Sequence, residues 1–178
     1  MNRKSLFVPG KRKYVRGQRP KVDCILCSIL EKDSKVDLLV LAEDRSVFVT
    51  MNLFPYNPGH VMVVPKRHVT DIRDCTLAEL KAIEKWTHKL LDVIDDEYAP
   101  SGYNIGYNLG SASGASIDHV HCHIVPRFIN EIGFIDTIGE TRIHVDDPAI
   151  GMENLKMRLA KKGKKKPRRH RDTEKRKK

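Results

Sequence analysis

No stretch of this 178-residue chain approaches the run of about 18 uncharged apolar residues that a membrane-crossing helix needs, so no membrane span is expected. The N-terminal MNRKSLFVPGKRK is apolar only from Leu6 to Val8, too short for a secretory signal, and a cytoplasmic protein is the expectation. Cysteine is scarce, with four residues, and nothing suggests an oxidising compartment, which argues against a disulfide framework. Acidic residues are missing from positions 1–21. Apolar residues are missing from the C-terminal KKGKKKPRRHRDTEKRKK, which cannot bury surface to offset its ordering entropy and reads as disordered.

The net charge of +10 hides an uneven distribution. Residues 1–21 carry 8 Lys/Arg and no acids, and residues 161–178 carry 12 Lys/Arg against 2 acids. Residues 22–160 are left with 13 basic and 21 acidic side chains. The organisation expected is therefore a basic N-terminal arm (1–21), one folded acidic domain (22–160) and a basic tail (161–178). The tail suits contact with nucleic-acid phosphates or another polyanion, but it also suits a merely solubilising role.

Within the body, Asp37–Leu41, Ser46–Met51, His60–Pro65, Tyr103–Tyr107 and Asp118–Arg127 read as strands. Two weaker strands are expected near Phe134 and Arg142, and a short helix at about Met152–Lys161. Thr76-Leu-Ala-Glu79 has the form of a capping box and opens a helix running to about Glu97. Leu77, Leu80, Ile83, Leu90, Leu91 and Ile94 fit its 3.6-residue period. A further helical turn is expected over Ile25–Leu30. The fold class is α+β, with a mainly antiparallel sheet of about five strands and one long helix.

Two motifs carry chemistry. Cys24-Ile-Leu-Cys27 brings two thiolates within reach of one metal ion, although a redox pair and coincidence remain open. Cys75 and Cys122 stand alone and read as small apolar side chains. In His119-Val-His121-Cys-His123-Ile-Val125, three histidines alternate with apolar residues. A strand would align the three imidazoles on one face, with alternate Cα atoms about 6.5–7 Å apart, and turn Val120, Cys122 and Ile124 to the core. A three-histidine metal site competes with a phosphate-flanking histidine array. The preceding loop, Asn108 to Ile117, favours the second. Gly110 and Gly114 allow backbone N–H groups to approach an anion, and Ser111, Ser113 and Ser116 supply hydroxyls. A neutral imidazole can displace a leaving group from phosphorus and form a phosphoramidate.

On these residues the chain resembles the histidine-triad superfamily. Its His-φ-His-φ-His-φ-φ motif, φ being apolar, is matched throughout 119–125. NLFPYNPGHVMVVPKRHVTDI (52–72) and NLGSASGASIDHVHCH (108–123) are also similar to it, so the resemblance covers about residues 22–128. It implies an antiparallel sheet with a long helix, usually in a homodimer. It implies that His121 is the nucleophile, its tautomer fixed by the His119 carbonyl, and that His123 donates to a phosphate oxygen. Asn108, Gly114 and Ser116 are then phosphate or leaving-group contacts, Asn52 binds ribose, and Leu53, Phe54 and Ile29 wall the base. His60 supports the array. In the zinc-bearing branch, which includes galactose-1-phosphate uridylyltransferase and some diadenosine tetraphosphate phosphorylases, the matching positions make Cys24, Cys27, His68 and His119 ligands of one structural zinc. A divalent metal carried by the substrate is a second implied ion.

The sequence departs from the family in two places. Ala115 stands where many members carry Gln against the leaving group, a feature of the phosphorylase-like branch. RFINEIGF (127–134) lacks a clear counterpart of that branch's usual downstream stretch. The implied function is cleavage of dinucleoside polyphosphates through a nucleotidyl-histidine. Hydrolysis of adenylated nucleic-acid ends, as in aprataxin-like proteins, and non-catalytic nucleotide sensing are the alternatives. The basic arms favour the former, whereas the absence of a C2H2 finger after the triad counts against it.

Overall fold

The computed structural model describes residues 20–129 and 147–162. The strands expected near Phe134 and Arg142, most of the N-terminal arm and nearly all of the basic tail lie outside the described residues.

Five antiparallel strands make one sheet: β1 (Val40–Glu43), β2 (Val47–Met51), β3 (Val61–Pro65), β4 (Gly102–Tyr107) and β5 (Cys122–Arg127), in the order β1-β2-β3-β5-β4. Among the described residues the α-helices are α1 (Ile25–Leu30), α2 (Leu77–Tyr98) and α3 (Pro148–Lys162). The α+β expectation holds.

Every residue of β2 and β3 is buried, and this follows from a sheet covered on both faces. Val47, Val49, Met51, Val61, Val63, Cys122 and Ile124 pack with Ile83, Trp86, Leu90, Val93 and Ile94 of α2 and with Leu155 and Leu159 of α3. On the other face, Phe48, Met62 and Val64 pack with Leu26 and Ile29 of α1. The short α1 thus closes one face, with Cys24 as its N-cap residue and Cys27 in its first turn.

The capping box of α2 forms as expected: the Thr76 side chain accepts from the Glu79 N–H, and Glu79 accepts from the Thr76 N–H. The helix stops at Ala99, which takes the left-handed conformation at φ 45°. Leu77 departs from the expected apolar stripe. It is the first helical residue, it is 73% exposed, and the contact with the sheet begins a turn later.

Two strand boundaries also differ. β1 is displaced to Val40–Glu43, turning into β2 at Asp44, whose Oδ1 accepts from the N–H groups of Ser46 and Val47. β5 starts at Cys122, four residues later than expected. The reason is where the preceding backbone spends its hydrogen bonds. The Val120 N–H goes to the Val69 carbonyl at 2.6 Å, and the His119 carbonyl goes to the His121 ring.

Candidate active and metal sites

Because regular pairing begins only at Cys122, the three imidazoles do not line up on one strand face. This corrects the expected array. His119 turns away from the other two, whereas the rings of His121 and His123 meet edge to face at 4.6 Å between centroids. His119 and His121 are both buried.

The hydrogen bonds determine the tautomers, since a carbonyl can only accept. His121 Nδ1 lies 2.6 Å from the His119 carbonyl and therefore carries the proton, which leaves a lone pair on Nε2. Burial holds the His121 pKa below its ordinary value, against the opposing pull of that carbonyl. The ring is thus neutral and nucleophilic near pH 7.

His123 is set by a relay. The Tyr56 backbone N–H donates to His60 Nδ1 at 3.1 Å, so the His60 proton sits on Nε2. That Nε2–H lies 3.0 Å from His123 Nδ1 and donates to it, which places the His123 proton on Nε2 as a donor. His60 is fully buried, and the Tyr56 ring stacks on it at 5.2 Å. Asn57 fastens the same loop, with its Nδ2 donating to the Pro126 carbonyl at 2.6 Å. Sequence reasoning missed Tyr56 and Asn57; the Tyr56 contact is made by main chain, which leaves no side-chain signature.

Asn52 lies beside His60, its Oδ1 accepting from the Phe54 N–H at 3.0 Å. Leu53 is 40% exposed and Phe54 half-buried, whereas Ile29 is packed into the Phe48 cluster and offers little surface. Asn108, Gly114 and Ser116 lie on the loop that leads from β4 to the histidine segment. Gly110 and Gly114 have φ of +74° and +84°, so each needs glycine for its backbone conformation. Ser113 is used within the loop, donating to the Gly110 carbonyl at 2.7 Å.

The second cluster gathers Cys24, Cys27, His68 and His119, whose ligand atoms lie within 4.8 Å of one another. Cys24 Sγ is 3.4 Å from His119 Nδ1, and Cys27 Sγ is 3.4 Å from His68 Nδ1 and 3.6 Å from His119 Nδ1. Sulfur and nitrogen donors on a tetrahedral zinc, at about 2.3 and about 2.0–2.1 Å from the ion, stand about 3.6 Å apart. The observed separations match that edge. The tautomer fits too. His119 Nε2–H donates to the Pro65 carbonyl at 3.0 Å, leaving the Nδ1 lone pair turned towards the two sulfurs. Burial lowers the His119 pKa against the pull of the Pro65 carbonyl, so the ring is an available neutral donor. In the metal-free chain, burial and the neighbouring Cys24 push the Cys27 thiol up to about 11, and a bound cation must displace that proton. A cavity of about 520 Å³, lined in part by Cys24, Cys27, Glu31, Asp33 and His68, opens beside the cluster.

His119 joins the two sites: its ring faces the cysteines and its carbonyl holds the His121 ring. Four protein donors are what a closed tetrahedral metal site needs, and the histidine pair beside the cluster presents a ring nitrogen whose lone pair can attack phosphorus.

Comparison with known proteins matches the HIT domain family model over residues 33–130. An AP-4-A phosphorylase of Mycobacterium tuberculosis is 42% identical over 106 residues, 59% of this chain and 54% of that protein. A bis(5'-nucleosyl)-tetraphosphatase (asymmetrical) of Schizosaccharomyces pombe is 40% identical over 77 residues, 43% of this chain and 42% of that protein. The chain thus spans about half the length of these curated relatives. A crystal structure described as a Zn-bound histidine triad family protein from Mycobacterium smegmatis superposes with a TM-score of 0.65 at 23% identity, covering 78% of this chain and 94% of that one. At that identity the likeness shows the fold.

Proposed function

Because the chain belongs to the HIT domain family, we propose that it is an enzyme that cleaves dinucleoside polyphosphates, such as diadenosine tetraphosphate, through a covalent nucleotidyl-histidine. The observation that carries this reading is the 2.6 Å contact of His121 Nδ1 with the His119 carbonyl, which aims the Nε2 lone pair as a nucleophile. Two of the relatives named above, a phosphorylase and a tetraphosphatase, support the substrate class.

His121 Nε2 attacks the α-phosphorus; an N–P bond forms and the bond to the leaving polyphosphate oxygen breaks. The imidazole becomes cationic at this point, and its Nδ1–H bond to the His119 carbonyl strengthens as the charge develops. His123 Nε2–H offers a donor to the phosphoryl oxygens as charge builds there. Water or phosphate then attacks the phosphorus, the N–P bond breaks, and the neutral ring returns. Asn108, Gly114 and Ser116 bind the phosphate or leaving group, Asn52 the ribose, and Leu53 and Phe54 the base, with the buried Ile29 at most backing that wall. The Cys24, Cys27, His68 and His119 set would hold a structural zinc, which would supply a cross-link between the start of α1, the segment after β3 and the histidine segment. A divalent cation accompanies the substrate's phosphates. The same reading takes the protein to be a cytoplasmic homodimer.

The test is product analysis with diadenosine tetraphosphate, with and without inorganic phosphate, beside a His121→Ala variant. ATP plus ADP formed only with phosphate identifies a phosphorylase; ATP plus AMP without it identifies a hydrolase. Turnover by His121→Ala removes the proposed nucleophile.

The basic arms support a second reading, in which the substrate is an adenylated nucleic-acid end. Removing residues 163–178 leaves dinucleotide turnover intact under the first reading and sharply weakens nucleic-acid turnover, with its salt dependence, under the second.

A further inference from the structure

His68 is exposed, its ring meeting the His119 ring edge to face at 4.9 Å and the Cys27 sulfur at 3.4 Å, so burial alone does not fix its position. Its backbone neighbours are held more firmly. The segment from Pro65 to Val69 touches the histidine segment at both ends: the Pro65 carbonyl accepts from His119 Nε2–H at 3.0 Å, and the Val69 carbonyl accepts from the Val120 N–H at 2.6 Å. Midway between these contacts, Arg67 reaches the start of α2. Its Nε lies 3.1 Å from Glu79 Oε1 and its Nη2 2.9 Å from Glu79 Oε2, a two-pronged fork, and Nη2 also donates to the Asp74 carbonyl at 2.7 Å. Glu79 is itself buried and fixed, with Oε2 accepting from the Thr76 N–H at 2.7 Å and from the Thr76 hydroxyl at 2.9 Å.

We propose that the Arg67–Glu79 fork is a positioning device for the metal centre. It ties the strut 65–69 to the rigid N-terminus of α2, and so holds His68 and His119 at ligating separation before a cation arrives. A ligand set ordered in advance loses less conformational freedom on binding. Arginine is the suitable residue because a planar guanidinium meets a carboxylate through two parallel bonds and thereby sets an orientation; lysine supplies only a point charge. The proposal rests on the structural-zinc reading above.

The test separates positioning from general stability. Affinity for Zn(II) is measured by competition with a chromophoric chelator on the full chain, and the Co(II) absorption spectrum reports the ligand geometry. Arg67→Lys keeps the charge and loses the fork. Glu79→Gln loses the ion pair but can still cap the helix. Thr76→Ala weakens the cap and removes one bond to Glu79 Oε2, but it keeps both Arg67–Glu79 bonds and the Thr76 N–H bond that holds the carboxylate. The expected result is that Arg67→Lys and Glu79→Gln weaken metal binding by about 10–100-fold, the range for loss of an orienting outer partner. Thr76→Ala lowers stability with metal affinity within about twofold of the parent. Wild-type affinity in both fork variants overturns the proposal, as does an affinity that falls in Thr76→Ala as much as in Glu79→Gln. Arg67 is half-exposed, so Arg67→Lys carries the test even where Glu79→Gln folds poorly. Failure of the parent chain to bind one ion, or undiminished binding by Cys24→Ser, overturns the zinc reading itself and the positioning role with it.

Discussion

The carbonyl of His119 accepts a hydrogen bond from the ring of His121, two residues later in the same chain, at 2.6 Å. The bond is local, yet it has two distant consequences. It takes the carbonyl out of the sheet ladder and delays the start of β5. It also decides which nitrogen of His121 is free to react. Because the His119 ring faces the cysteines, one residue sets both the proposed nucleophile and the proposed metal centre.

Replacing His121 by Asn removes the nucleophile with a smaller polar side chain in its place. Turnover is expected to fall at least about a thousandfold, as for loss of other covalent nucleophiles. Steady-state assays, with an acid-quench search for a phosphoramidate-linked chain, provide the check. Residual turnover within tenfold of the parent rules out His121 in that role.

In the proposed mechanism His60 acts through His123, which its Nε2 contacts at 3.0 Å. His60→Phe fills the same space but breaks the relay from the Tyr56 N–H, so His123 is no longer held as an Nε2 donor. A fall in kcat of about a hundredfold is expected, with KM little changed. His60→Gln, which can both accept and donate, should recover part of it. Equal losses in the two variants point to packing and not to the relay.

Acid stability follows from Glu79. The Arg67 guanidinium holds its carboxyl down at about 2, against the opposing effect of burial and with help from Thr76. In the unfolded chain a glutamate titrates near about 4.3. The lowered folded value stabilises the protein fully above about pH 5, and that stabilisation is lost as the pH falls towards about 2. Urea midpoints of the parent and Glu79→Gln should therefore differ most at neutral pH and converge as the solution is acidified. A difference that stays constant across this range contradicts the assignment.

Thr76→Ala deletes the side-chain acceptor at the start of α2. Loss of such a cap costs about 1 kcal/mol, and urea unfolding at neutral pH measures it. An unchanged midpoint means that the first turn frays in the parent as well.

Stripping the metal with a strong chelator should lower the thermal midpoint by at least about 5 °C, the shift that about 2 kcal/mol produces in a domain of this size. Scanning calorimetry before and after stoichiometric Zn(II) is restored gives the answer. A midpoint indifferent to chelator and to zinc leaves the Cys24 cluster without a stabilising role.

Much of this protein is legible in its sequence because the signals are local. The capping box at Thr76–Glu79 is made within one turn, α1 is found where its residues imply, and the continuous apolar run before Pro65 forms a strand buried on both faces. The cysteine pair and the alternating histidines are visible as donors, since spacing along the chain alone brings such groups close together. The tertiary structure decided what those donors do. His68 and His119 reach Cys27 from 41 and 92 residues away, and His60 reaches His123 from 63. The alternation at 119–123 implies one shared face, but the Val69 carbonyl captures the Val120 N–H and turns His119 to the cysteines. Glu79 reads locally as a helix cap, and only the folded chain brings Arg67 against it. The division has a physical cause. A side chain's chemistry and its nearest-neighbour hydrogen bonds are encoded where it stands, whereas its tautomer, charge and ligating role depend on partners that only chain folding delivers.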